Sequence, residues 1–251
     1  MKLKSNLFYY PWTNYSINNC NTYLIGEKSF ILVDPGLDFC LDEVLAEIRK
    51  DGIDPDQINR VITTHSHPDH FEGVRSFVNK GIKLSLHEDE DAFLREHGNG
   101  FYSMFGITVP PYRVESYLRE GACAFNNIAM EMYHTPGHSP GSISIYLPDS
   151  KALIAGDVIF QAGVGRTDFP GGSGKLLKKS IDRLAMLDTE YLLPGHGDLV
   201  KGVFQDVSVH RASVAKILAR PCTHLKDLVA NRGDARSLYA EPPLAVYGHN
   251  L

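Results

Sequence analysis

Three histidines and one aspartate stand within six consecutive positions, in the segment His65-Ser66-His67-Pro68-Asp69-His70. Neutral imidazole and carboxylate are the ligand types that suit zinc and iron(II). Side chains two positions apart on an extended backbone share a face, so His65 and His67 can reach one metal ion. We interpret the hexapeptide as part of a metal site. A pair of side chains at a strand end and a second pair on the following turn can serve two neighbouring ions.

The residues around the hexapeptide predict the elements that hold it. The run from Arg60 to Thr64 is rich in β-branched residues and predicts a short buried strand. Pro68 cannot donate a ladder hydrogen bond, so we expect the strand to end there. Asp69 has the residue type of a helix N-cap, and residues 72–80 predict a helix after it.

Further ligand-type side chains follow four other apolar strands of the sequence. They lie in the segments His134-Thr135-Pro136-Gly137-His138, Gly156-Asp157, Pro194-Gly195-His196 and Asp34-Pro35-Gly36. Functional groups on α/β folds collect in loops beyond strand ends, where a rigid sheet aims them. The glycine and proline beside each candidate predict tight turns that hold the backbone close. These segments supply matching ligands for a site built around the hexapeptide.

Away from the motifs, short apolar strands alternate with amphipathic helical stretches. The predicted strands are residues 21–25, 30–33, 82–86, 128–133, 143–147, 152–155 and 191–193, and the predicted helices are residues 41–50, 89–96 and 175–187. Residues 98–117 are aromatic and poorly periodic, so we expect a loop there that acts as a lid, a binding wall or a packing contact. Strands that form hairpins as well as alternate with helices favour a helix-covered sheet sandwich.

The composition limits the class of protein. The 251 residues, 43% of them apolar, suit one large α/β domain, which we place at residues 1–203, with a mainly helical extension at residues 204–251. A net charge of −5 argues against nucleic acid as a partner. The four cysteines are scattered, as is typical of reduced thiols in a cytoplasmic protein. We find neither an apolar run of ~18 residues nor a signal peptide, and therefore expect a cytoplasmic protein with no membrane partner.

In chain order, the motifs H-x-H-x-D-H, T-P-G-H-S, G-D and P-G-H-G resemble those of the metallo-β-lactamase superfamily. The resemblance covers Thr22 to about Val200 and implies an α/β (α+β) fold, an αββα four-layer sandwich with a dinuclear site at its edge. It implies seven ligands: His65, His67 and His138 for one ion, Asp69, His70 and His196 for the other, and Asp157 as a bridge. Asp69 and Asp157 are then the catalytic carboxylates. His134 matches no ligand position, and Asp34 either orients a ligand or only forms a turn.

The run from Gly163 to Gly172 is similar to glyoxalase II-like hydrolases and to the related persulfide dioxygenases. The first similarity implies a metal-dependent hydrolase in which a metal-bound hydroxide attacks a thioester or related ester, such as an acyl-glutathione. The implied cofactor is two divalent ions, zinc above all, with iron(II) or a mixed pair as alternatives. Metal ions lower the pKa of bound water from ~15.7 toward ~7, so no serine or cysteine nucleophile is required. We expect Arg166 to pair with Asp168, although it could instead grip a substrate carboxylate.

Two alternatives stay open at this point. The first is a persulfide dioxygenase with one iron held by His65, His138 and Asp157, because two histidines and a carboxylate suit oxygen chemistry on iron(II). The second is a non-catalytic metal-binding or scaffold protein. An open dinuclear site fits that role poorly, because structural zinc sites are closed and usually cysteine-rich. Residues 204–251 do not match the glutathione-binding region of glyoxalase II, so the substrate's acyl and thiol parts stay open.

Overall fold

The computed structural model describes residues 1–202 except Asn79, Asn126 and Ala162. Within this range, thirteen strands form two sheets, and helices cover the outer face of each. The helical extension predicted at residues 204–251, and with it the domain boundary at 203, lies outside the described residues. No helix within the described range is long and apolar enough to cross a membrane.

The first sheet has seven strands in sequential order. They are β1 (Lys2–Lys4), β2 (Leu7–Tyr10), β3 (Thr22–Gly26), β4 (Phe30–Val33), β5 (Ile58–Ile62), β6 (Lys83–His87) and β7 (Val114–Leu118). Strands β1 to β4 pair antiparallel, and β4 to β7 pair parallel. The carboxyl ends of the parallel strands meet at one edge. The segment with Asp34 and the hexapeptide both begin at that edge.

The second sheet has six strands in the reverse of chain order. They are β8 (Gly121–Phe125), β9 (Ile128–His134), β10 (Ile143–Leu147), β11 (Ala152–Gly156), β12 (Tyr191–Pro194) and β13 (Val200–Lys201). Only the pair β11 and β12 is parallel within this sheet. The carboxyl ends of these two strands lead directly to Asp157 and to His196.

Four α-helices lie between the strands in sequence. They are α1 (Asp38–Lys50), α2 (Pro68–Phe71), α3 (Glu88–Ser103) and α4 (Gly174–Leu184), and 3-10 turns occupy Pro55–Gln57, Glu72–Phe77 and Pro148–Ser150. Helix α4 begins with a side-chain cap, because the Ser173 side chain accepts a hydrogen bond from the Leu176 N–H. Helix α3 begins with four acidic residues, which the positive end of a helix dipole favours.

Alternate side chains of each strand point to opposite faces, so each sheet contributes to two cores. In β4, Ile31 packs in the core between the sheets, whereas Leu32 packs in the core that includes α1. In β11, Ile154 faces the other sheet and Leu153 faces α4. Each such fully buried side chain stabilises the fold by about 1.5–3 kcal/mol. The resulting helix–sheet–sheet–helix order confirms the predicted αββα sandwich.

The start of the metal segment differs from the sequence prediction. Strand β5 ends at Ile62, so His65 and His67 lie on the loop beyond it and not on extended strand. The N-cap of α2 is His67, and Asp69 lies inside the helix. Pro68 explains this, because a proline at the first helical position has no N–H to leave unsatisfied. The predicted helix at residues 72–80 is a 3-10 turn over Glu72–Phe77.

The segment predicted as a long loop at residues 98–117 is also different. Helix α3 runs to Ser103, and β7 begins at Val114. The Phe101 and Tyr102 side chains are buried in the first core, and this packing outweighs the weak helix propensity of Gly98 and Gly100. Strands β1, β2, β7, β8 and β13 were not predicted from the sequence. Elsewhere the predicted strands and helices are confirmed to within a few residues at their ends.

Candidate metal centre

Seven ligand-type side chains meet at the common edge of the two sheets. Five of them lie just beyond the end of a strand and two lie in the short helix α2: His65 and His67 follow β5, His138 follows β9, Asp157 follows β11, His196 follows β12, and Asp69 and His70 belong to α2. These are the seven residues that the sequence resemblance selected, and the fold brings all of them together. Segments as far apart as the hexapeptide and residue 196 therefore form one cluster.

Two sets of three side chains are recognisable within the cluster. The first set, here called the neutral half, consists of His65, His67 and His138; their candidate ligand atoms lie within 4.8 Å of one another, and the Nε2 atoms of His65 and His138 are 3.2 Å apart. The second set, the charged half, consists of Asp69, His70 and His196. The His196 Nε2 atom lies 3.2 Å from His70 Nε2 and 3.2 Å from Asp69 Oδ2.

The Asp157 carboxylate lies between the two halves. Its Oδ2 atom is 3.5 Å from His138 Nε2 and 3.5 Å from His196 Nε2, and its Oδ1 atom is 3.3 Å from His70 Nε2. One carboxylate therefore contacts both sets of imidazoles. The neighbouring Gly195 permits this closeness, because a Cβ atom at Gly195 would lie 2.1 Å from Asp157 Oδ1.

The donor separations fit metal ions. Ligands bound to one tetrahedral zinc at 2.0–2.1 Å stand about 3.3 Å apart, and the shortest separations in each half are 3.2 Å. The buried Nε2 atom of His67 has no hydrogen-bond partner among the described residues. Buried polar atoms are normally bonded, since an unsatisfied one costs about 1–3 kcal/mol. A lone pair of this kind, aimed into a cluster of imidazoles, is what a metal ligand requires.

The partners of the Nδ1 atoms orient three of the imidazoles. His138 Nδ1 lies 2.8 Å from the Arg166 carbonyl oxygen, and His70 Nδ1 lies 3.0 Å from Asp34 Oδ2. His65 Nδ1 lies 3.1 Å from Thr64 Oγ1, whose own proton goes to Asp34. Each partner accepts, so in the neutral ring Nδ1 carries the proton and Nε2 presents its lone pair to the cluster.

Asp34 is confirmed as a residue that touches the site and is more than a turn former. It is fully buried, and besides His70 it accepts hydrogen bonds from the Thr64 N–H at 2.7 Å and the Thr64 Oγ1 hydroxyl at 2.8 Å. Its φ of 56° lies in the left-handed region, which is unfavourable for a residue with a Cβ. Backbone strain of this kind concentrates at functional sites, where the surrounding contacts hold it in place.

The loop that carries His196 belongs to the second sheet but is bound by the first. The Tyr23 hydroxyl donates to the Pro194 carbonyl at 2.6 Å, and the Asn21 amide side chain donates to the carbonyls of Pro194 and Gly197. The Asn21 backbone N–H also donates to the Gly195 carbonyl at 2.7 Å. These bonds fix one half of the candidate site against the other sheet.

Burial determines the protonation state of the neutral half. Burial lowers the pKa of His65 and His67 well below the usual range, and the nearby imidazoles lower both further. Burial also lowers the pKa of His138, against the opposing effect of Asp157. At neutral pH these three rings are uncharged, which is the protonation state that a metal ion needs.

The charged half has the opposite character. Burial opposes a charge on His196, but the carboxylates of Asp157 and Asp69 outweigh it and raise its pKa to about 10. The pKa of His70 is also raised, because its interactions with Cys20, Asp157 and Asp34 outweigh the lowering effect of burial. Burial raises the pKa of Asp69, but the hydrogen bond to His196 and the charges of His70 and His196 together outweigh it and lower the pKa to about 2. When no metal is bound, this half therefore holds a protonated His196 among carboxylates.

An aromatic wall borders the neutral half. The His67 ring lies 4.9 Å from the Phe101 ring and 5.6 Å from the Phe169 ring, measured between centroids. The Arg166 guanidinium stacks on Phe169 at 3.6 Å and makes a two-bond pair with Asp168. The predicted pairing of Arg166 with Asp168 is therefore confirmed. No feature of the sequence indicated that the Arg166 backbone carbonyl would also contact His138.

Two residues that bond a candidate ligand or the ligand loops, Asn18 and Glu90, were not identified from the sequence. Asn18 Nδ2 donates to Asp69 Oδ2 at 2.9 Å, and Glu90 is bonded to two of the ligand loops. Asn18 lies in a segment without a motif. Glu90 stands in a run of acidic residues, and such a run is typical of the solvated first turn of a helix.

A further group of ligand-type side chains lies beside the site without the geometry of a metal site. The rings of His87 and His134 stack at 4.1 Å with an interplanar angle of 13°, near Asp89. The lone pairs of parallel rings lie in separate planes and do not converge on one point. His134 Nε2 also contacts the Pro140 carbonyl at 3.0 Å, and His87 Nδ1 accepts from the Asp89 N–H at 3.2 Å. His134 ends β9, in agreement with its predicted role as a strand-end residue.

Comparisons with known proteins agree with this geometry. The sequence profile of the metallo-beta-lactamase superfamily matches residues 16–196. The chain is 33% identical over 183 residues to the probable metallo-hydrolase YqgX of Bacillus subtilis, covering 70% of this chain and 83% of the relative. It is 28% identical over 189 residues to the hydroxyacylglutathione hydrolase GloC of Haemophilus influenzae, covering 71% and 85%. A solved structure of TTHA1623 in a di-iron-bound form is similar with a TM-score of 0.66 and 28% identity, covering 82% of this chain and 98% of that one.

Proposed function

This chain belongs to the metallo-β-lactamase superfamily, and from that premise we propose that it is a metal-dependent hydrolase of the glyoxalase II-like type. Its proposed substrate is a thioester or related ester, such as an acyl-glutathione. The observation that carries the proposal is the convergence of seven ligand-type side chains in two sets around Asp157. Such an open arrangement of imidazoles and carboxylates is suited to chemistry and not to a closed structural metal site.

The residues of the two halves would hold two divalent ions. His65, His67 and His138 would take one, and Asp69, His70 and His196 the other, with Asp157 shared between them. When bound, such ions lower the pKa of a coordinated water toward ~7 and polarise a carbonyl group. We propose zinc as the native metal. The di-iron form of TTHA1623 supports iron(II) as an alternative.

The protein's own groups prepare the site for this reaction. The Asp157 and Asp69 carboxylates raise the pKa of His196 and keep it protonated while no ion is bound, and the same negative charge attracts a cation that can take the place of the proton. The aromatic wall gives an apolar border on the side of His67, in which Phe101 is buried and the partly exposed Phe169 ring can contact an acyl group. A thiolate leaves readily without a strong general acid, so a thioester suits a site whose histidines are committed as ligands.

The relatives support the hydrolase more than the other candidate functions. YqgX is named a probable metallo-hydrolase, and GloC is named a hydroxyacylglutathione hydrolase. At 28% identity the second name supports a glutathione thioester as the first substrate to assay. The dioxygenase and the scaffold remain as outcomes of the test below.

The test is metal analysis combined with turnover in the absence of oxygen. We expect two ions per chain and cleavage of S-lactoylglutathione or a simpler acyl thioester under anaerobic conditions. A chelated protein should lose the activity, and added zinc should restore it. One iron per chain with oxygen consumption on glutathione persulfide would replace the hydrolase by the dioxygenase. Turnover no greater than that of His67→Ala on a broad ester and thioester panel would indicate a scaffold.

A further inference from the structure

The Glu90 side chain, in the first turn of α3, accepts four hydrogen bonds in a fully buried position. Its Oε2 atom accepts from the Ser66 backbone N–H at 2.8 Å and from the Ser66 hydroxyl. Its Oε1 atom accepts from the Gly141 backbone N–H at 2.8 Å and from the Ser139 hydroxyl. Each carboxylate oxygen therefore accepts the hydrogen bonds of one loop. Glu90 is the residue of α3 that accepts all four of these bonds.

Both loops carry histidines of the neutral half. Ser66 stands between His65 and His67, and Ser139 directly follows His138. Helix α3 holds the first loop from a second side, because the Tyr102 hydroxyl donates to the Ser66 carbonyl at 2.8 Å. The backbone of Ser66 is thus bonded to α3 through both its N–H and its carbonyl.

The second loop, which carries Ser139 and Gly141, is in direct contact with the start of α3. A Cβ atom built on Gly141 would lie 2.6 Å from the Glu90 backbone nitrogen. Only a glycine permits this approach, which brings the Gly141 N–H within reach of the carboxylate. The contact joins residues that are 51 positions apart in sequence.

We propose that Glu90 is a positioning residue that sets the distance between His138 and the pair His65 and His67. Its carboxylate fixes the two loops to one rigid helix, and so preorganises the neutral half for its ion. The inference rests on the metal site of the proposed function and does not depend on the substrate. Glu90 does not contact the seven candidate ligands through the bonds described here, and it would act only through their loops.

The four donors explain why a carboxylate is needed. An ionised carboxylate only accepts hydrogen bonds, whereas a glutamine amide has one accepting oxygen and one donating nitrogen. In Glu90→Gln, the donating nitrogen must face either the Ser66 pair or the Ser139 and Gly141 pair. The serine hydroxyl of the loop that faces the nitrogen can rotate to accept a hydrogen bond, but the backbone N–H of that loop loses its acceptor and faces a donor, although the side chain keeps its size.

The test compares Glu90→Gln with Asp91→Asn in the full-length chain. Asp91 is the next residue of α3 and is also buried, but it bonds Tyr112, Tyr117 and Arg95 instead of the ligand loops. Each chelated protein is titrated with zinc against a chromophoric chelator. Loss of a residue that orients metal ligands typically weakens binding about 10- to 100-fold. We expect that loss for one of the two ions in Glu90→Gln and for neither ion in Asp91→Asn.

The same comparison in a His196→Ala background shows which half of the site loses affinity, because only the neutral half then keeps all three of its side chains. In that background, Glu90→Gln should weaken the remaining ion, and the absorption spectrum of bound cobalt(II) should change. If Glu90→Gln does not fold, the double variant Ser66→Ala with Ser139→Ala removes one donor from each loop and should weaken the same ion to a smaller extent.

The outcomes separate this inference from the proposed function. Equal zinc affinity of the wild type and Glu90→Gln, or of the wild type and the double serine variant, would overturn the role of Glu90. An equal loss in Asp91→Asn would also overturn it, because the effect would then be general destabilisation of α3. A wild type that binds two zinc ions but cleaves no ester or thioester would refute the hydrolase and leave the role of Glu90 intact.

Discussion

The two halves of the candidate site use the same side chain in opposite protonation states. In the neutral half, burial among other imidazoles lowers the pKa of each ring, and the His67 ring has a nitrogen without a hydrogen-bond partner in the described part of the chain. In the charged half, the carboxylates of Asp69 and Asp157 raise the pKa of His196 to about 10. Two sets of ligands a few ångströms apart can therefore differ in how they take up a cation. The neutral half can bind a cation directly, whereas the charged half must first be deprotonated.

The largest effect is expected at Asp157, where the halves meet. Asp157→Ala removes the one carboxylate that contacts imidazoles of both halves, so it should weaken both ions together. Metal ions contribute several kcal/mol to such a reaction, which corresponds to about 10³-fold or more in kcat/KM. Thioester kinetics and zinc content measure the loss. Asp168→Asn, which changes an exposed carboxylate outside the seven, serves as the control. Activity of Asp157→Ala within tenfold of wild type would contradict the bridging position.

A matched pair of substitutions separates the halves. His67→Ala removes a ligand of the neutral half, and His196→Ala removes one of the charged half. We expect each variant to retain one ion of the two, with kcat/KM reduced by about 10²-fold or more. Metal analysis after dialysis gives the stoichiometry. Loss of both ions in either variant would show that the halves are one cooperative unit.

These two variants also test the pKa difference. In His67→Ala the charged half remains, and His196 with its pKa of about 10 must lose a proton to bind zinc. Zinc affinity there should rise about tenfold per pH unit for each proton displaced, between pH 6.5 and 9. In His196→Ala the neutral half remains, and its lowered pKa values leave no proton to displace above pH 6.5. Chelator competition across this range should show one steep profile and one flat profile. Parallel profiles would refute the distinction.

The smallest effect is expected at Arg166. Its contact with His138 runs through the backbone carbonyl, and its guanidinium pairs with the exposed Asp168. Arg166→Ala should therefore keep both ions and reduce stability by no more than about 1 kcal/mol. Thermal unfolding and zinc content check this. A large rise in KM with kcat unchanged would instead assign the guanidinium to a substrate carboxylate.

The seven clustered side chains and the layered fold were predicted through the resemblance of the sequence motifs to the superfamily. Each of these motifs follows an apolar strand and contains a glycine or a proline, and both features can be recognised in the sequence alone. Glu90 and Asn18 could not be found in this way, because their roles depend on contacts with distant segments. The continuation of α3 was missed for a related reason: burial of Phe101 and Tyr102 decides it, and burial is a property of the whole fold. The protonation contrast likewise follows from neighbours that only the fold supplies.

The central claim is that this cluster holds two metal ions, and the metal content of the chain tests it most directly. The protein is purified without added metal and analysed for zinc and iron, before and after saturation with zinc. We predict two tightly held ions per chain, falling to one in His67→Ala and in His196→Ala. A wild-type chain that cannot be loaded with more than one ion, or that holds none, would contradict it.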